Sequence, residues 1–179
     1  MNMIIKRDKY LDELIGWKHT DLIKIVTGLR RCGKSFLLFN LFHQHLLSSG
    51  TDESHIIEIA LDDISNEALR EPFRMLEYVK SKIKDDNQYY LIIDEVQLLG
   101  RFVDVLNSFM HIDNVDIYVT GSNSRFLSKD VATEFRGRGI EIHIYPLSFA
   151  ELYQARGGDK YALWKSYYTY GELPYLASL

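Results

Sequence analysis

Eight consecutive residues, Gly28-Leu29-Arg30-Arg31-Cys32-Gly33-Lys34-Ser35, match the pattern G-x-x-x-x-G-K-[ST]. Glycines at both ends let the backbone curl so that successive amides converge on phosphate oxygens. A following helix adds the positive end of its dipole. In that setting Lys34 would reach the β and γ phosphates and the Ser35 hydroxyl would ligand Mg²⁺. The candidate nucleotide-binding stretch is therefore Gly28, Leu29, Arg30, Arg31, Cys32, Gly33, Lys34, Ser35 and Phe36. A glycine turn carrying a solvent-facing lysine is the plain alternative. It does not explain why the motif falls between an apolar strand and an apolar helix.

A second constellation is Leu91-Ile92-Ile93-Asp94-Glu95, an apolar run ending in two carboxylates. Asp94, at the carboxyl end of a strand, can hold the water shell of Mg²⁺ beside Ser35, so the metal candidates are Ser35 and Asp94. Glu95 then projects where an attacking water would sit and is the candidate general base. Adjacent acidic residues often do no more than end a strand. One strand and helix downstream of a phosphate loop, they point to hydrolysis. Small-molecule kinases of this loop class usually lack that glutamate, and the N-K-x-D motif that reads guanine is missing, so ATP hydrolysis is favoured over both.

Thr120-Gly121-Ser122-Asn123 ends another apolar run. An uncharged polar group there, Asn123 in preference to Ser122, could hydrogen-bond the attacking water or the γ-phosphate; otherwise the stretch is a simple turn. Arg136-Gly137-Arg138-Gly139 offers a guanidinium to a neighbouring subunit's γ-phosphate, although arginines among glycines are more often solvated. Cys32, beside two arginines and at a helix N-terminus, is either a thiol of lowered pKa whose alkylation would block the loop or, as the plainer reading, a small residue tolerated there.

The elements that must position these groups alternate. Short apolar strands are predicted at Leu22 to Thr27, His55 to Leu61, Tyr89 to Asp94, Val115 to Thr120 and Ile140 to Ile144. Helical spacing follows the phosphate loop through Phe36, Leu37, Leu38, Leu41, Phe42 and Leu46, and recurs over Ser65 to Asp85 and Phe102 to Met110. Pro72 splits the second of these, because proline belongs in a first helical turn and not in the interior. Alternation of this kind implies an α/β fold with a parallel sheet covered on both faces. Ser148 and Glu151 stand at capping-box spacing and open a helix ended by Gly157-Gly158, with another from about Asp159 to Tyr170. The expected division is a core over 1–146 and a helical extension over 147–179.

Composition bounds the function. The 179 residues carry 21 Lys plus Arg and 25 Asp plus Glu, a net charge of −4, with 46% apolar residues. That suits one folded domain and argues against binding nucleic acid by charge alone. Lys80, Lys82, Lys84 and Arg101 make at most a scattered basic face. A single cysteine excludes an internal disulfide, no Cys/His cluster has zinc spacing, and no apolar run is long enough to cross a bilayer. A cytoplasmic location with no membrane partner is the expectation.

Taken in order, GLRRCGKS, DEVQ (Asp94 to Gln97), TGSNSR (Thr120 to Arg125), Gly137-Arg138, YPLSF (Tyr145 to Phe149) and YGELP (Tyr170 to Pro174) resemble the AAA-type members of the additional-strand catalytic-glutamate ATPases. The likeness is to a prokaryotic AAA-like family whose P-loop domain precedes a C-terminal domain of uncharacterised role. The resemblance implies strand order 5-1-4-3-2, a sensor at Asn123 or Ser122, and a trans-acting arginine that maps onto Arg138. It implies ATP and Mg²⁺ as cofactors and a homo-oligomer or further protein partner. The family usually has glycine, an aromatic residue and proline after YG, where this chain has Glu172-Leu173-Pro174. It also typically continues beyond Leu179, so a truncated or fragmentary chain is expected. Tyr161, Trp164 and Tyr168 then form either an internal packing face or a surface for a missing domain. A nucleotide-dependent switch with negligible hydrolysis is the alternative function.

Overall fold

The computed structural model describes residues 5–121, 135 and 137–170. Helix α1 (Asp8–Gly16) leads into strand β1 (Ile23–Gly28). Helix α2 covers 34–48, with α-helical ends Lys34–Phe36 and His43–Ser48 around a π-helical stretch Leu37–Phe42. Strand β2 (Ile56–Ala60), a 3₁₀ turn (Ile64–Arg70), helix α3 (Pro72–Lys82) and strand β3 (Tyr89–Asp94) follow. Helix α4 (Phe102–Phe109), strands β4 (Val115–Thr120) and β5 (Gly139–Ile144), and helices α5 (Phe149–Arg156) and α6 (Lys160–Tyr170) complete the described chain.

All strand pairs are parallel and the sheet order is β2-β3-β4-β1-β5, which is the expected 5-1-4-3-2 order seen from the other edge. The central strands β1 and β3 are buried at every position, whereas edge strand β2 has its middle residue, Glu58, exposed. Helices on both faces produce this contrast, because a doubly covered strand needs apolar residues throughout and an edge strand does not. On one face Ile25, Leu91, Ile93 and Val119 meet Met75 and Val79 of α3 and Leu106 and Phe109 of α4. On the other, Val26, Ile92, Tyr118 and Ile142 meet Tyr10 and Leu14 of α1 and Leu38, Phe42 and Leu46 of α2. A smaller cluster of Ile5, Leu147 and Leu152 takes Leu163 and Tyr167 of α6.

Local chemistry sets the boundaries. Pro72 opens α3 at its first turn, and the Glu71 side chain caps it by accepting from the Arg74 amide at 2.8 Å. Ser148 and Glu151 form the expected capping box, and Gly157 ends α5 at φ +62°.

One feature of β1 runs against its apolar pattern. Lys24 is 0% exposed, and its ammonium pairs with Asp116 while donating to the Thr20 carbonyl at 3.0 Å. Asp116 also accepts from the Tyr118 hydroxyl at 2.9 Å and the His19 amide at 3.0 Å. Burial lowers the Lys24 pKa, and Asp116 opposes that shift. The pair ties β1 to β4, whose register places Lys24 beside Tyr118. Asp116→Leu should strand a buried ammonium and cost about 3–5 kcal/mol, and Lys24→Met added to it should recover most of that loss. Urea midpoints at constant m-value read both effects.

Candidate functional site

Parallel pairing brings the carboxyl ends of β1, β3 and β4 to one edge of the sheet, where α/β folds bind their ligands. Gly28 ends β1 at φ +142°, and a Cβ there would stand 2.3 Å from the Ile144 carbonyl oxygen. Only glycine fits so close to the end of β5. Arg31 at φ +66° and Gly33 at φ +98° complete the curl, and α2 begins at Lys34. The Lys34 side chain folds back over this loop, donating to the carbonyls of Gly28 at 3.1 Å and Leu29 at 3.0 Å. Leu29, Arg30, Arg31, Ser35 and Phe36 are exposed at the same edge.

Cys32 does not fit the reactive reading. It is fully buried among Leu37, Leu38 and Ile144, and desolvation raises the thiol pKa despite the opposing charges of Lys34 and Arg7. The side chain turns into the core while its arginine neighbours turn out. An activated, accessible thiol in the loop is therefore ruled out.

Asp94 ends β3 at 4% exposure. Its carboxylate accepts a hydrogen bond from the Thr120 hydroxyl at the end of β4, and Ser35 at the start of α2 lies near enough to stabilise its charge. Burial raises its pKa, the Ser35 and Thr120 hydroxyls oppose the rise, and the charges of Glu95 and Asp62 add to it. A buried carboxylate joined to a hydroxyl, with further acidic groups nearby, is a hard-oxygen donor set that suits Mg²⁺. Glu95 follows in the left-handed region at φ +52°. Its amide donates to Thr120 Oγ1 at 3.1 Å, and its carboxylate accepts from the Gln97 side chain. Thr120 thus ties the backbone of one acidic residue to the side chain of the other. Neither Thr120 nor Gln97 was assigned a role by spacing, because the signal is a contact between separate strand ends and not a motif.

Arg138 lies elsewhere. It precedes β5, its carbonyl accepts from the Ile23 amide at 2.9 Å, and its Nη1 donates to Asn107 of α4 at 2.8 Å. That is the amino end of the sheet. A six-residue strand separates it from the phosphate-loop edge by ~20 Å. Ser122, Asn123 and Arg136 lie outside the described residues, as do Gly171 to Pro174. Among the described residues no helix is long and apolar enough to cross a membrane, and no group of three or more His, Cys, Asp or Glu is placed to hold a metal ion.

Comparison with known proteins agrees with this geometry. A family model described as an AAA domain matches residues 20–153. An uncharacterized protein of Haemophilus influenzae is 33% identical over 177 residues, covering 96% of this chain and 44% of that protein, so the chain spans less than half of that relative. Among solved structures, the S. cerevisiae Hsp104:casein complex in its extended conformation matches with a TM-score of 0.68 at 15% identity, covering 99% of this chain and 36% of that one. The Walker-type ATPase of Pyrococcus abyssi matches with a TM-score of 0.62 at 17% identity, covering 97% and 66%. At such identities these two structures establish a shared fold. The family match over most of its length shows that the chain belongs to the AAA domain family.

Proposed function

We propose that the chain binds ATP with Mg²⁺ and hydrolyses it at sites completed between subunits. The observation that carries this reading is the junction at the P-loop edge, where Thr120 hydrogen-bonds both the Asp94 carboxylate and the Glu95 amide, with Ser35 and Lys34 at the start of α2 close by. The loop amides and Lys34 bind the phosphates. Lys34 exchanges neutral carbonyl acceptors for charged phosphate oxygens, which form stronger bonds. Ser35 and Asp94 would hold Mg²⁺, which would supply positive charge against the negative charge developing on the phosphates.

Glu95 takes the proton from the attacking water. Its backbone is fixed by Thr120 and its carboxylate is oriented by Gln97, so the base is positioned before substrate arrives. Asn123 is the γ-phosphate sensor in this scheme. Arg138 cannot reach the P-loop of its own chain from the opposite end of the sheet, which supports a role on a neighbour's γ-phosphate. That role requires head-to-tail association of copies, and Asn107 holds the guanidinium until it is taken up.

Glu95→Gln should retain ATP affinity within about twofold and lower turnover by ~10²-fold or more, the loss expected on removing a general base. Steady-state hydrolysis with Lys34→Ala as blank, beside titration with a fluorescent ATP analogue, reads both quantities. Wild-type specific activity should rise with protein concentration. Arg138→Ala should abolish that rise while leaving nucleotide affinity unchanged, whereas turnover independent of concentration contradicts the shared site.

A further inference from the structure

Arg7 precedes α1 and is only 3% exposed, although the motifs of the phosphate site do not include it. Its guanidinium meets two segments far from it in sequence, the P-loop at Cys32 and the stretch from Tyr145 to Glu151. Nη1 donates to the Cys32 carbonyl in the P-loop at 3.0 Å, and Nη2 donates to the Tyr145 carbonyl just after β5 at 2.7 Å. Nε lies 2.8 Å from Glu151 Oε1 with its hydrogen directed off that oxygen, so the third link is a charge contact and not a hydrogen bond. The guanidinium also covers the Tyr10 ring at 4.7 Å, and the Tyr10 hydroxyl accepts from the Tyr145 amide at 3.2 Å.

We infer that Arg7 is a positioning residue for nucleotide binding, which fixes the Cys32–Gly33 peptide of the P-loop and ties that loop to α5. The inference rests on the ATP-binding reading above. A trans peptide is planar, so its carbonyl and its N–H point in opposite directions. Holding the Cys32 carbonyl on Arg7 therefore fixes the direction of the Gly33 N–H, one of the donors at the start of α2. Gly33, at φ +98°, is a position where an unclamped peptide has wide freedom. Ordering it only when phosphate arrives would weaken binding, and a loop ordered beforehand avoids that loss.

The second end of the clamp lies in the capping box of α5. Glu151 Oε2 accepts from the Ser148 amide and the Ser148 hydroxyl, each at 2.8 Å, while Oε1 faces Arg7. One carboxylate thus caps α5 and balances the buried charge that holds the P-loop. Lysine keeps that charge but lacks the planar fork that reaches two carbonyls and a carboxylate together.

The test compares wild type, Arg7→Lys, Glu151→Gln and the double variant, with a fluorescent ATP analogue as probe and thermal unfolding as the control for folding. Arg7→Lys should weaken nucleotide binding about tenfold, the scale set by one charge-assisted hydrogen bond. Glu151→Gln, which retains an acceptor for the cap, should shift affinity the same way by less, and the double variant should lose less than the product of the two. Nucleotide should slow amide exchange in α5 of the wild type and not in Arg7→Lys. Folded variants that bind within twofold of wild type, with exchange in α5 unchanged by nucleotide, overturn the inference. If Arg7→Lys does not fold, Glu151→Gln decides by the same two readouts. A wild-type chain that binds no nucleotide contradicts the ATPase reading itself, whereas tight wild-type binding with unaffected variants overturns the role of Arg7 alone.

Discussion

The site depends on one carboxylate held out of water. Asp94 is nearly inaccessible, and burial pushes its pKa up, so the ionised form needs partners. Thr120 supplies a hydrogen bond and Ser35 a nearby stabilising dipole, and each belongs to a different element. Satisfying this group therefore requires the start of α2 and the ends of β3 and β4 to converge. The parallel sheet provides that convergence, because all its strands end on one edge. The helix-covered faces of the sheet keep the dielectric low enough for the contacts to matter.

The opposite edge has its own buried charge. Lys24 and Asp116 sit among Tyr118, His19 and Thr20, and they lock β1 to β4 near the amino ends of the strands. Arg138 hangs from that edge by a backbone bond to β1 and a side-chain bond to α4. The two edges are thus chemically distinct. One gathers Lys34, Asp94 and Glu95, and the other carries the Arg138 guanidinium about one strand length away.

Much of this was legible in the sequence where residues act through the periodicity of their own segment. The limits of β3 and β4 match the predicted Tyr89 to Asp94 and Val115 to Thr120, because strands buried on both faces are mostly apolar, Asp116 being the exception in β4. Pro72 and the Ser148–Glu151 box fixed helix starts for local reasons. The edge strand predicted at His55 to Leu61 runs from Ile56 to Ala60, one residue shorter at each end. What escaped were contacts between distant residues. Arg7 meets a carbonyl 138 positions away, Thr120 bridges to Asp94 across 26, and Lys24 finds Asp116 across 92. The reactive reading of Cys32 fails because the run Arg-Arg-Cys does not reveal that the curled loop exposes both arginines and turns the cysteine into the core.

The measurement that tests the central claim most directly is ATP affinity with and without Mg²⁺ in wild type and Asp94→Asn. If Ser35 and Asp94 hold the metal at the P-loop, Mg²⁺ should strengthen ATP binding to the wild type, and most of that gain should vanish in Asp94→Asn while metal-free binding persists. An equal gain in both proteins would contradict the assignment of Asp94, and a wild type that binds no ATP under either condition would contradict the site as a whole.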